Sequence, residues 1–151
     1  MLLKVRRLSE AAVLPQYAHP GDAGLDLVSI EAQTLLPGES QLIRTGIALE
    51  LPEGTEAQVR PRSGLALKHQ ITVLNTPGTI DTGYRGEICV ILINHGTKPF
   101  QVEPGMRIAQ MVITSFIQVT VEAVETLQEN TARADGGFGS TGVASLASDE
   151  R

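Results

Sequence analysis

The chain has 151 residues and a mass of 16.1 kDa, enough for one domain with a core of its own. With 17 acidic and 12 basic residues the net charge is −5, which argues against non-specific nucleic-acid binding and leaves room for a small anion in a local basic pocket. Hydrophobic residues make up 42% and aromatics only 3%, with no Trp, so the core is aliphatic, and no apolar run approaches membrane-spanning length. The 15 glycines and 8 prolines favour many short strands joined by turns over a helical bundle. Cys89 is single, so it forms no internal disulfide, and its place inside an apolar run predicts a buried structural thiol. The first seven residues show no secretory pattern, and a cytoplasmic location is expected.

A first strand is expected over residues 2–7, followed by a turn-rich lead-in over 14–21. In Asp22 to Val28, Gly24 permits close backbone approach, and Leu25 and Leu27 alternate with Asp26, which therefore faces away from the leucines. Asp26 is either an edge-strand charge or a carboxylate able to reach a divalent cation through water. Leu35 to Glu39 reads as a turn. Ile47, Leu49 and Leu51 then alternate with Ala48 and Glu50, and Ala57 to Arg60 resumes the period of two.

Arg60-Pro61-Arg62-Ser63-Gly64 leads into the one helical turn the sequence predicts, Gly64 to Lys68, with Ser63 as its N-cap. A helix start of this kind offers free N–H groups to a phosphate, with Arg62 and Lys68 adding charge, although a capped turn with solvated cations has the same signature.

The chain is organised around Asn75 to Ile88, which lies between the apolar runs Ile71 to Leu74 and Ile88 to Ile93 and predicts a β-hairpin with a long connection. Long connections in compact domains tend to be functional. This one carries Asn75, Asp81, Tyr84 and Arg85, groups suited to holding a polar planar ligand and moving a proton beside it. Asp81-Thr82-Gly83 alone would be ordinary turn chemistry.

Met106 to Ile113 is expected as a strand bearing Arg107 and Gln110, and Val119, Val121 and Ala123 as the last strand, with Leu127 near its end. Arg133 to Gly142 is too rich in glycine for regular structure. Its Arg, Phe138 and Ser140-Thr141 set suits phosphate binding and stacking better than it suits a plain linker. Residues 143–151 are expected to be disordered. There is no zinc spacing, no dinucleotide or P-loop fingerprint, and no nominable Ser-His-Asp set.

Five segments, in order and across nearly the whole chain, resemble the motifs of the trimeric dUTPases. They are Asp22 to Val28, Arg60 to Lys68 with its Arg-Ser-Gly, Asn75 to Ile88 with Ile-Asp-Thr-Gly-Tyr-Arg-Gly-Glu, Gly105 to Met111, and the glycine-rich Arg133 to Gly142. The second, third and fifth are specific; the first and fourth are weak alone. The residues themselves predict an all-β sandwich or barrel with phosphate seats. The resemblance adds a jelly-roll-like fold with one short helix and a flexible Gly-rich C-terminal tail. It divides the chain into a β domain over 1–130, a lid motif over 131–142 and a tail over 143–151. It further implies a homotrimer with shared active sites, bound to neither nucleic acid nor membrane, that hydrolyses dUTP to dUMP and pyrophosphate with Mg²⁺.

Carried over by position, Asp81 would activate the attacking water. Asn75 and the hairpin at Gly78, Thr79 and Ile80 would hydrogen-bond uracil. Tyr84 would pack on deoxyribose where a 2′-hydroxyl would clash. Arg62, Ser63, Gly64 and Gln110 would hold phosphate, and Asp26 would contact waters on Mg²⁺. Arg133, Ser140 and Thr141 would clamp the γ-phosphate beside Gly139, with Phe138 stacked over uracil. Ala134 and Gln70 stand where the family commonly has Gly. A dCTP deaminase of the same fold needs a glutamate acid/base and a different phosphate loop, which the Asp81 hairpin and Phe138 argue against. A non-catalytic relative binding nucleotide or a partner protein need not keep both Asp81 and Ser63.

Overall fold

The computed structural model describes residues 1–128, 131 and 134–136. The chain divides into Met1–Ile117, which holds all the regular structure described, and Gln118–Arg151.

The first unit contains β1 (Lys4–Arg7), β2 (Leu25–Val28), β3 (Gln33–Leu35), β4 (Ser40–Glu50), β5 (Thr55–Arg60), α1 (Ser63–His69), β6 (Ile71–Val73), β7 (Gly78–Ile80), β8 (Glu87–Asn94), β9 (Phe100–Val102) and β10 (Arg107–Ser115). Two four-stranded antiparallel sheets, ordered β1-β4-β8-β6 and β2-β10-β5-β7, are accompanied by a separate two-stranded β3-β9 pair. One aliphatic cluster draws Ile43, Val90 and Leu92 from the first sheet and Leu27, Val59 and Met111 from the second. The alternation that predicts these strands is the one that fills this core: β8 buries every second residue, and β2 buries Leu25 and Leu27 with Asp26 between them only partly covered. The expected all-β fold with one short helix is the fold observed.

β4 is longer than its alternation suggests. Its register against β8 shifts between Arg44 and Ala48, and residues 45–49 are all buried. Gly46 makes the bulge with φ +70, where a Cβ would press on Ala12 and Ile30 at 3.0 and 3.1 Å.

The ends of the central hairpin pair as expected, with Val73 opposite Leu92. Its connection does more than turn: β7, inside it, leaves the first sheet and pairs with β5 of the second, Ile80 opposite Ala57. The segment is therefore pinned to both sheets.

Two expectations are corrected. Ser63 is not the N-cap: the extended residue is Arg62, its carbonyl accepts from the Leu65 and Ala66 N–H groups, and no side chain caps the helix. Ser63 is already the first helical residue, because Pro61 forces extension on the residue before it and leaves Arg62 to make the transition. The last strand does not form either. Residues 118–128 carry no strand, and Val119 and Val121 are 71% and 88% exposed. A period of two becomes a strand only beside a ladder partner, and among the described residues none pairs with this stretch. At its C-terminus α1 closes on Gln70 at φ 55, the left-handed geometry for which Gly is the usual choice.

Candidate active site

Of the expected site residues that are described, all but Gly78 line one of two clefts in the first unit. The larger, about 550 Å³, is lined by Asp26, Arg62, Ser63, Gly64, Lys68 and Gln110 among others. β2, β10 and the start of α1 build it. Asp26 stands opposite Gln110 in the β2–β10 ladder, so one strand pair delivers both. The Gln110 amide donates to the Pro61 carbonyl at 2.9 Å, which steadies the turn into α1. Gly24 leaves room beside it: a Cβ there would collide with the Gln110 amide oxygen and force that side chain to move. Asp26 Oδ1 forms an ion pair with Arg62, 3.2 Å from its Nε, and Oδ2 accepts from Arg107 Nη1 at 3.1 Å. Ser63 and Gly64 are exposed at the helix start, where N–H groups have no helical acceptor, and the space beside Gly64 is open. Lys68 in the last turn complements the helix dipole.

The second cleft, about 330 Å³, is lined by Asn75, Thr79, Ile80, Asp81, Tyr84 and Glu87 among others. Ile80 is buried at the end of β7, and the next residue, Asp81, emerges exposed. The turn that follows is closed by Tyr84 N–H donating to the Asp81 carbonyl at 3.0 Å. The Thr82 hydroxyl donates to the carbonyl of Thr55, and Arg85 folds back onto the carbonyls of Thr82 and Tyr84 at 2.8 and 2.9 Å. The Tyr84 hydroxyl donates to the Glu87 carbonyl at 3.1 Å, laying its ring across Gly86, where any Cβ would collide with it. Gly78 is buried in β7 between Val59 and Asn75.

Behind this cleft Glu87 accepts from Gly46 N–H at 2.8 Å and from Arg44 Nε at 3.1 Å, tying the β4 bulge to the hairpin. That hydrogen bond and the carboxylate charge hold the Arg44 guanidinium above its usual value. Cys89 is half-buried, short of the buried thiol expected; what burial it has pushes the thiol up, and the negative charge of Glu87 adds to this.

The structure thus brings Asp26, Arg62, Ser63, Gly64 and Gln110 together, and separately Asn75, Thr79, Ile80, Asp81 and Tyr84; the two linings have no residue in common. Arg133, Phe138, Gly139, Ser140 and Thr141 lie outside the described residues. Among the described residues no group of three or more His, Cys, Asp or Glu side chains could hold a metal by itself, and no helix is long and apolar enough to cross a membrane. Sequence reasoning missed Thr82 and Glu87, and the pairing of Arg107 with Asp26, whose partners are 36 and 81 positions away.

The profile of the dUTPase family matches residues 10–142. A deoxyuridine 5′-triphosphate nucleotidohydrolase from Gloeothece citriformis is 66% identical over 145 residues, covering 96% of this chain and 99% of that protein. One from Clostridium tetani is 64% identical over 140 residues, covering 93% and 96%. The dUTPase of Staphylococcus bacteriophage 80alpha, solved with dUpNHpp, superposes with a TM-score of 0.88 at 30% identity over 94% of this chain and 99% of that one. A mutant dUTPase of S. aureus phage phi11, solved to show the coordination of a structural Mg(II) ion, superposes with a TM-score of 0.77 at 28% identity over 83% and 98%. With residues of the first four motifs lining the two clefts, on the same fold and with this degree of likeness, the chain belongs to the dUTPase family.

Proposed function

We propose that this chain hydrolyses dUTP to dUMP and pyrophosphate, with Asp81 taking the proton of the water that attacks the α-phosphate. The observation that carries the reading is the presentation of Asp81. It is an exposed carboxylate set directly after a buried strand residue and braced by the turn behind it, in a chain of the dUTPase family. A carboxylate presented this way can take the proton of a water held beside it.

In this reading Asn75 and the backbone of Gly78, Thr79 and Ile80 read the uracil edge, and the Tyr84 ring excludes a 2′-hydroxyl. Arg62, Ser63, Gly64 and Gln110 hold the phosphates. Arg133, Gly139, Ser140 and Thr141 close over the γ-phosphate, with Phe138 stacked on the base. The donor set of the larger cleft suits a cation held mostly by phosphate oxygens and water: Asp22 and Asp26 line it without forming a three-ligand cluster. Asp26 would meet the water shell of Mg²⁺. When bound, that ion would offset the charge of the phosphates.

The two separate clefts support assembly as a homotrimer whose sites combine a phosphate cleft from one chain with the hairpin cleft of another. Each alone is half a site. A dCTP deaminase-like activity is not favoured, because the similar proteins are dUTP hydrolases by name.

The test is hydrolysis of dUTP with and without Mg²⁺, beside dCTP and dTTP. The reading expects Mg²⁺-dependent release of dUMP and pyrophosphate from dUTP with little turnover of the others. Comparable turnover of dCTP or dTTP would overturn it.

A further inference from the structure

Asp26 has more cationic partners than one carboxylate needs. Its side chain is 14% exposed, and each oxygen has its own guanidinium, Arg62 on Oδ1 and Arg107 on Oδ2. The two arginines are not equivalent. Arg62 is 29% exposed, lines the larger cleft and has a second tie, from Nη1 to the Arg107 carbonyl at 3.2 Å. Arg107 is 52% exposed, and among the described residues its side chain has the Asp26 pair as its one polar contact. One arginine is built in and the other is held by a single exposed pair, the kind of contact that is cheap to release.

We propose that Arg107 is a placeholder cation: it occupies the outer oxygen of Asp26 and gives that oxygen up when a hydrated divalent cation arrives. This rests on the reading of Asp26 as the carboxylate that meets the water shell of the ion. Each carboxylate oxygen keeps a second lone pair that a water of that shell can use, but the water's hold on Asp26 is stronger once Arg107 no longer draws on the outer oxygen. Repulsion between the incoming cation and the nearby guanidinium acts in the same direction. Arg107 yields because among the described residues nothing else polar holds its side chain, whereas Arg62 is less exposed and stays anchored beside Asp26 by its bond to the Arg107 carbonyl. The exchange leaves Asp26 paired at every stage, so the partly buried carboxylate never stands alone beside a triphosphate. Arg107 is on this view a positioning residue that sets how tightly the ion is held.

The sign of one measurement separates this role from a merely structural one. Mn²⁺ affinity is measured by electron paramagnetic resonance on the full-length protein loaded with dUpNHpp. If Arg107 competes with the ion, Arg107→Gln tightens Mn²⁺ binding by about two- to fivefold, the worth of an exposed ion pair. If Arg107 instead holds Asp26 in place, the same change loosens binding or leaves it alone, and the placeholder is overturned. Arg60→Gln controls for net charge, because Arg60 also lines the cleft but bonds Gln58, from Nε at 3.1 Å, and not Asp26. It should tighten Mn²⁺ by a smaller factor; an equal gain in both variants overturns the exchange. Mn²⁺ binding in wild type with no gain in Arg107→Gln removes only the placeholder. No Mn²⁺ binding in wild type removes the cation reading and the placeholder together. If Arg107→Gln does not fold, the wild type still decides: the ¹⁵N signals of the Arg107 guanidinium should lose their hindered rotation when Mg²⁺ and dUpNHpp are added, and persistence of the hindrance overturns the proposal.

Discussion

Thr82 donates its hydroxyl to the carbonyl of Thr55, tying the tip of the β7–β8 connection to the first residue of β5. Asp81 sits between this tie and the ladder pair Ile80–Ala57, so the exposed carboxylate is fastened on both sides. Thr82→Val keeps the shape and removes the donor. It should cost about 1 kcal/mol of stability and lower kcat several-fold, with KM little changed, as Asp81 loosens. Thermal melting and steady-state kinetics check the two halves. Unaltered kcat with reduced stability would confine Thr82 to the fold.

Asp81→Asn retains size and hydrogen-bonding reach but cannot accept the proton. Hydrolysis should fall by about 10²–10⁴-fold, with the affinity for dUpNHpp within a few-fold of wild type. Turnover close to that of wild type would assign the base elsewhere.

Tyr84→Ala should raise UTP turnover relative to dUTP, read as the ratio of kcat/KM for the two. Because the ring lies across Gly86, Gly86→Ala should push it aside and produce the same loss of discrimination. An unchanged ratio in both variants would place sugar selection outside this pair.

The parts of the molecule legible in the sequence were those governed by neighbours along the chain. Leu25-Asp26-Leu27 announces a strand with an outward carboxylate, and the runs flanking Asn75 to Ile88 announce the hairpin. What was not legible depends on residues far apart. Gly78-Thr79-Ile80 is too short for a period to show, and only the presence of β5 makes it a strand. Val119, Val121 and Ala123 have the period without the partner. The Asp26 side chain reads as exposed charge until folding brings Arg62 and Arg107 to it. Glu87, two residues before Cys89, gives no sign in the sequence that it secures a bulge in β4.

Cys89 offers a pH-dependent check. Its folded value is raised by burial, so at a given pH less thiolate is present than in the unfolded chain. Native protein should be alkylated by iodoacetamide more slowly than urea-unfolded protein, with its rate curve displaced to higher pH. The sign for stability follows. The contribution of this thiol is fully present below the unfolded value and is lost as pH rises through the folded one. Equal rates in the two states would mean the thiol is freely accessible.

The shared site is tested by mixing two inactive chains. Full-length Asp81→Asn is co-expressed with chains truncated after Asn130 that retain Asp81. If hairpin and tail come from different chains of a three-fold ring, random mixing completes about a quarter of the sites, and activity should return to roughly that fraction of wild type. Mixed trimers, confirmed by mass, that stay at the level of the parents would place both parts on one chain.

The absence of any common lining residue between the two clefts also bears on inheritance. If each site is drawn from two chains as proposed, a copy damaged in both clefts removes the sites it shares as well as its own. Intact sites then decline as the square of the fraction of sound chains. A folded but inactive allele would be partly dominant over the normal one, whereas an allele that fails to fold, and so never enters the ring, would be recessive.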